Sequence, residues 1–384
     1  MALRALPPTL NNVDVSKKLN QKSLLPVTRR AALGNIANTR NAASGIANVK
    51  KIHAEQSKSQ RSLKPPTKIV KIVKPTEALT DQFKKLEVKE SYSAQQISNI
   101  ENIDAGDEND PHLVSEWVNE IYDYLRELED KLVIRPAYLR NNANIKPRMR
   151  AVLIDWLTQV HTRFAMLPET LYLSVAIIDR VLQDLEVSRS KLQLVGITST
   201  LIAAKYEETF APELDDLIYI CDNAYRKSEI RQMECVILHI CDFSLGRPLP
   251  LHFLRRNSKA GKANLVIHTM AKYLMELTLV QYDMVHHKPS LIAAAALCLS
   301  FKLLRNSSWN DTLIHHSKYT EKELMPVMEK LALISVEAES SPYQTVRLKY
   351  AREQFGRIST SKCLQSSTFK CFAEAAKLKL SVRA

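Results

Sequence analysis

The chain has 384 residues with 54 Lys and Arg against 41 Asp and Glu, a formal charge of +13, 45% hydrophobic residues and only 7 glycines. The length suits two domains plus an appendage. The scarcity of glycine, with no GxGxxG and no GxxxxGK(S/T) string, runs against a nucleotide cradle and a turn-rich β architecture, and no apolar run approaches the ~20 residues that span a bilayer.

Residues 1–105 read as a disordered regulatory tail. The first 90 hold 18 Lys/Arg and 6 Asp/Glu scattered among Ser, Pro, Asn and Thr. No aromatic residue precedes Phe83, so the tail lacks the stacking platforms of single-strand nucleic-acid binders. The start MALRALPPTL has no long apolar core, and a secretory leader is not expected. Within the tail, RRAALGNIAN (29–38) sets Arg30, Leu33, Gly34, Ile36 and Asn38 close together: one cation, two aliphatics and an amide where a mere solubilising tail needs none. Leu79, Phe83, Leu86 and Val88 repeat at the spacing of leucine-rich export signals on a short candidate helix, Ala78–Val88. No Ser-Pro or Thr-Pro pair occurs in the tail.

Charge then reverses: residues 101–130 hold 11 Asp/Glu and a single cation, Arg126. Order starts at DPHLVSEWVNEIYDYLRELEDKL, where Asp110 can cap a helix and Pro111 suits its first position. Trp117, Ile121, Leu125, Leu128 and Leu132 recur at three- and four-residue steps, predicting one apolar face. Helices follow at Pro147–Ala165, Pro168–Gln183, Ser188–Glu208, Pro212–Cys221 and Lys227–Cys241, with prolines at starts where a missing N–H costs nothing. GRPLP (246–250) interrupts. A second set follows at Leu251–Lys259, Ala263–Tyr282, Pro289–Leu304, Trp309–Ser317 and Glu321–Glu337.

LVGITSTLIAAKY (194–206) matches LIAAAALCLSFKL (291–303), aligning Lys205 with Lys302. Helices that are small and apolar nearly all round are central ones, closely approached by several neighbours. The expected fold is therefore all-α: two tandem five-helix bundles, with a flanking N-terminal helix and a C-terminal helical extension. The divisions are tail 1–105, helix and first bundle 106–245, second bundle 246–345 and extension 346–384. The six cysteines form no C-x-x-C pair and have no histidines at zinc spacing, so they read as reduced, mostly buried thiols. No cofactor, metal or catalytic constellation is expected.

The stretch MRAVLIDWL (149–157) puts Met149, Val152, Leu153, Trp156 and Val160 on one stripe and Ile154, Leu157, His161 and Phe164 on the next, an apolar arc of roughly 200° at ~100° per residue. Such an arc is buried between two neighbours or offers one stripe to a partner. MRAVLIDW, KLQLVGITSTLIAAKYEE, RQMECVIL and GRPLPLHFLRR, in that order, resemble the cyclin box of mitotic B-type cyclins. HTMAKYLMELTLVQYDMVH resembles the B-type group in particular. The resemblance covers about residues 110–345.

That resemblance implies a non-enzymatic activator that turns the C-helix of a mitotic cyclin-dependent kinase inward at the G2/M transition. It implies that Lys205 and Glu234 contact that helix, with Leu194, Tyr206, Glu207 and Glu208 flanking the surface, and that Arg150 and Asp179 form an internal pair. It implies a docking patch for kinase substrates from Met149, Val152, Leu153 and Trp156, rimmed by Gln193. Gln159 stands where arginine-reading relatives carry an acid, which removes a charge-assisted bond. Arg30, Leu33, Gly34, Ile36 and Asn38 match the nine-residue destruction box of that family, read by the anaphase-promoting ubiquitin ligase and its activator. A protein shuttling between cytoplasm and nucleus is implied, with no nucleic acid or membrane as partner. The alternative from another class is a cyclin-fold transcription factor that binds nucleic acid. Its support is the basic charge and the two repeats, and the acidic 101–130 segment opposes it.

Overall fold

A computed structural model describes residues 100–381, Asn141 and Asn306 excepted. The Arg30–Asn38 stretch and the Leu79–Val88 segment lie outside the described residues. The described residues form thirteen α-helices and no strand. α1 (Val118–Lys131) comes first. Five helices follow: α2 (Pro147–Arg163), α3 (Pro168–Asp184), α4 (Leu192–Glu207), α5 (Leu214–Ile220) and α6 (Lys227–Ile240). Five more repeat them: α7 (Pro250–Ala260), α8 (Leu265–Leu277), α9 (Pro289–Leu304), α10 (Asp311–Ser317) and α11 (Glu321–Glu337). The chain ends in α12 (Thr345–Tyr350), 3₁₀ turns and α13 (Ser367–Ser381).

α4 and α9 are the two centres. α4 is packed by α2, α3 and α6, and α9 by α7, α8 and α11, the same positions in each set of five. Small residues let the neighbours close in. A Cβ on Gly196 of α4 would lie 2.7 Å from Leu153 Cδ1 on α2, and Ala293 to Ala296 on α9 are fully buried. The aligned lysines leave these helices at their C-terminal ends and pair alike: Lys205 with Glu234 on α6 at 2.5 Å, Lys302 with Glu321 on α11 at 2.7 Å.

Five sequence expectations are corrected. α1 begins at Val118, not at Pro111: Asp110 Oδ1 does accept the His112 N–H at 2.9 Å, but Val114 lies in the left-handed region at φ 50° and ends that turn before a helix can form. Its inner face is also not the expected stripe, since Trp117 and Ile121 are exposed. The buried anchors are polar: Glu129 accepts Ser290 N–H (3.0 Å) and Oγ–H (2.6 Å) at the start of α9. Arg126 donates to the His316 and Ser317 carbonyls ending α10. An acid at a helix N-terminus and a cation at a C-terminus both suit the helix dipole, so α1 is held by the second bundle although it precedes the first.

The expected helix Ala263–Tyr282 stops at Leu277 and continues as 3₁₀ turns Thr278–Val280 and Tyr282–Met284. Thr278 Oγ1 turns back to the Met275 carbonyl at 2.7 Å, the local competition Thr offers a helix. Pro212 stands two residues ahead of α5 instead of opening it. Finally, only Cys221, Cys241 and Cys298 are buried, while Cys235 and Cys371 are exposed. Burial pushes the Cys221 and Cys298 thiols up to about 12.

The extension ties the bundles together. Asp155 on α2 accepts the Thr345 N–H (3.0 Å) and Oγ–H (2.8 Å), and Lys349 and Tyr350 both reach Glu276 on α8. The acidic segment before α1 has an internal use too. Asp104 receives Arg256 through two bonds of 2.6 and 2.7 Å and Lys259 at 2.8 Å, and Glu101 meets Lys262 at 2.7 Å. The basic side of α7 is thereby largely neutralised from within the chain.

Candidate functional site

The α4–α6 face is built on a rigid floor. α4 is buried from Leu194 to Ala204, then presents Lys205 and Tyr206 as it emerges. Lys205 is about half exposed and Glu234 mostly covered. An ion pair in that setting contributes about 0–1 kcal/mol, so a partner can reopen it cheaply. Tyr206 is 57% exposed beside them. Glu207 follows, its carboxyl pushed up by burial and then by the charges of Glu169 and Glu208.

Two members of the expected set are placed differently. Leu194 is 2% exposed and lies under the face as part of the α4 core. Glu208 turns toward the start of α3, accepting from Leu167 N–H at 2.7 Å and Thr170 Oγ–H at 2.5 Å. It satisfies an otherwise open donor there, which is a structural duty.

Sequence reading missed the rest of this face. On α6 the exposed residues Gln232, Cys235, Val236 and His239 recur at helical spacing and lead to Phe243, 63% exposed and edge-on to the His239 ring at 5.2 Å. Phe243 has φ of 54°, and Asp242 before it φ of 48°. An aromatic side chain in the left-handed region is strained, and such strain clusters at functional positions. The available signal was the helical wheel: Ile230 and Ile237 are buried while Val236 and Phe243 fall off that line. Phe210, 88% exposed, adds a further exposed aromatic in the loop after α4.

The α2 patch is shallower than its sequence suggests. Leu153 and Trp156 are buried, at 0% and 4% exposure, so the Trp–Leu–Met cluster is not an open surface. Both stripes of the wide arc face protein, because α4, α12 and the 3₁₀ turn Thr278–Val280 all pack on α2. Met149, Val152 and Gln193 are the partly exposed members. Gln159 donates to Thr345 Oγ1 at 3.1 Å, so its amide is committed to the α12 joint.

Beneath both faces lies the α2–α3 pair. Arg150 Nε and Nη2 meet the two oxygens of Asp179 at 2.6 and 2.7 Å, with both residues buried. Tyr138 Oη–H adds a bond to Asp179 at 2.7 Å. Burial and then the Asp179 charge raise the tyrosine far above its ordinary range.

The family described as cyclin, N-terminal domain, matches residues 120–246, and that described as cyclin, C-terminal domain, matches residues 248–364. Over 288 residues the chain is 57% identical to G2/mitotic-specific cyclin-B of Spisula solidissima, a match spanning 75% of this chain and 67% of that protein. It is 44% identical over 369 residues to G2/mitotic-specific cyclin-B2 of Anguilla japonica, spanning 92% and 93% of the two chains. Among solved structures, a viral cyclin from herpesvirus saimiri superposes with a TM-score of 0.50 at 20% identity, covering 55% of this chain and 96% of the viral one, a likeness of fold. The chain belongs to the cyclin family, in its G2/mitotic-specific B-type branch.

Proposed function

We propose that this chain is the regulatory subunit of a mitotic cyclin-dependent kinase and that it binds the kinase through the α4–α6 face. The observation that carries this reading is the combination of a reopenable Lys205–Glu234 pair with exposed Tyr206 and strained, exposed Phe243 on the close-packed floor of α4. Exposed aromatics around polar groups that can re-pair suit a protein interface. The chain supplies no catalytic group in this reading. It favours one kinase conformer by binding it better than the other, which is all that a shift of population requires. The beneficiary is the kinase's own Lys–Glu pair and metal site.

Met149, Val152 and Gln193 serve as a substrate-docking edge, with Trp156 and Leu153 as its support. The tail carries the destruction box at Arg30, Leu33, Gly34, Ile36 and Asn38. An extended peptide lays such residues into pockets of a reader, here the anaphase-promoting ubiquitin ligase with its activator. The segment near Leu79–Val88 acts in export, so the protein shuttles between nucleus and cytoplasm.

Calorimetric titration of the full chain with a monomeric mitotic kinase tests the surface. One-to-one binding is expected, weakened at least about tenfold, or 1.4 kcal/mol, by Phe243→Ala and by Tyr206→Ala. Unchanged affinity in both variants would move the interface elsewhere.

A further inference from the structure

Ser341-Pro342 is the single Ser-Pro or Thr-Pro pair in the whole sequence. It sits in irregular backbone between α11 and α12, where Glu339, Ser340 and Pro342 are exposed and Ser341 is partly so. Ser341 Oγ accepts the Tyr343 N–H at 3.1 Å, which leaves its own proton uncommitted. Pro342 fixes its own φ and holds the preceding residue extended. Gln344 Nε2 bonds the Ala338 carbonyl at 2.7 Å and the Ser341 carbonyl at 2.6 Å, so the loop is held in one shape.

Beside this loop lies a cavity of about 260 Å³, lined by Glu339, Arg347 and Lys370 together with Tyr273, Ser359 and Gln365. Arg347 Nε is buried with no hydrogen-bond partner. Its guanidinium meets Glu339 only at 3.6 Å, and Lys370 forms no ion pair among the described residues. Two cations therefore line a cavity that holds a single, loosely engaged carboxylate. Ser341 is two residues from Glu339, within about 7 Å along the chain.

We propose that Ser341 is a phosphorylation site for a proline-directed protein kinase and that Arg347 and Lys370 receive the phosphate. Ser341 Oγ attacks the γ-phosphorus of ATP. The new O–P bond forms as the bond to the β–γ bridging oxygen breaks, ADP leaves, and the hydroxyl proton passes to a carboxylate base of the kinase. The phosphate then displaces Glu339 from Arg347, because a dianion with three acceptor oxygens pairs with arginine better than a distant carboxylate does. The modification tightens the joint between α11 and α12.

The test uses the full chain, ATP and an active mitogen-activated protein kinase, with the site located by mass spectrometry and Ser341→Ala as control. Thermal unfolding is then compared for unmodified and phosphorylated wild type, Arg347→Gln and Lys370→Gln. Lys370 is exposed, so its variant folds whatever Arg347 does. Phosphate on Ser341 of most molecules is expected. The wild-type midpoint should rise by about 2 °C or more, and less than half as much in either variant. An unmodified Ser341 in the native chain, whether or not the free ESSPYQT peptide is modified, would overturn the site assignment. A midpoint that stays or falls on phosphorylation, or rises equally in wild type and both variants, would overturn the receiving role of Arg347 and Lys370.

Discussion

Arg150 and Asp179 do two jobs at once: they pair through two bonds inside the first bundle, and Arg150 Nη1 continues to the Leu279 carbonyl of the second at 2.9 Å. That carbonyl lies in the 3₁₀ turn where the α8 helix gives way, so the break in α8 and the reach of Arg150 belong to one joint. Arg150→Ala leaves a buried carboxylate without its cation and should cost about 3–5 kcal/mol. Tyr138→Phe removes one hydrogen bond and should cost about 1 kcal/mol. Urea unfolding of the two variants beside wild type gives both figures. Equal losses would mean that the pair is not the core of the joint.

Acid should loosen the fold in two stages. His287 and His316 are each held down to about 4, by burial first, then by Lys330 and His286 for the one and by Arg256 and His315 for the other. Their folded values lie below the ordinary 6.5, so the unfolded chain takes up more protons as pH drops from 6.5 to 4, and stability falls through that window. Asp104 acts lower. Burial alone would raise its carboxyl, but bonds from Arg256 and Lys259 outweigh it and hold the group at about 2. Its contribution is complete above the ordinary 3.8 and is lost as pH falls toward 2. Urea midpoints at pH 7, 5 and 3 check this, and a His287→Gln, His316→Gln variant should show a smaller drop between pH 7 and 5.

On α2, substitution should separate support from contact. Trp156→Ala empties a buried site and should destabilise the protein by about 3–5 kcal/mol. Met149→Ala and Val152→Ala, partly exposed, should leave the melting curve within about 1–2 kcal/mol of wild type while weakening capture of docking peptides. A stable Trp156→Ala variant would contradict the packing described for α2.

For the tail, replacing Arg30 and Leu33 by alanine should leave kinase activation intact and prolong the protein's lifetime in extracts leaving mitosis. Normal degradation of that variant would sink the degron assignment.

The central helices were legible because their information is local. The residues of α4 and α9 are small and apolar on every side, and Pro147, Pro168 and Pro289 each open a helix. The face of α1 was not, because Glu129 and Arg126 bind helix ends 161 to 191 residues away. Burial of Trp156 was one of the two readings that the wide arc of α2 allowed, but the α12 segment that comes back over α2 from far along the chain left no sign in the sequence. The paired lysines could be aligned from sequence, but their partners occupy different positions on α6 and α11, so only the packing reveals that both close on an acid. Phe243 escaped because one exposed aromatic after a helix carries no periodic signal.

Lys205 and Glu234 are the residues through which the chain is proposed to activate its kinase. That role is tested most directly by phosphoryl transfer to a basic Ser-Pro peptide by a monomeric mitotic kinase, with the full chain or its Lys205→Glu, Glu234→Lys variant added. Exchanging the two charges keeps their 2.5 Å pairing chemistry and hence the fold, which circular dichroism verifies, but presents each partner atom with the wrong sign. Strong stimulation by the wild type is expected, and less than about one tenth of it, a loss of about 1.4 kcal/mol, with the variant. Equal stimulation by both proteins would contradict that role.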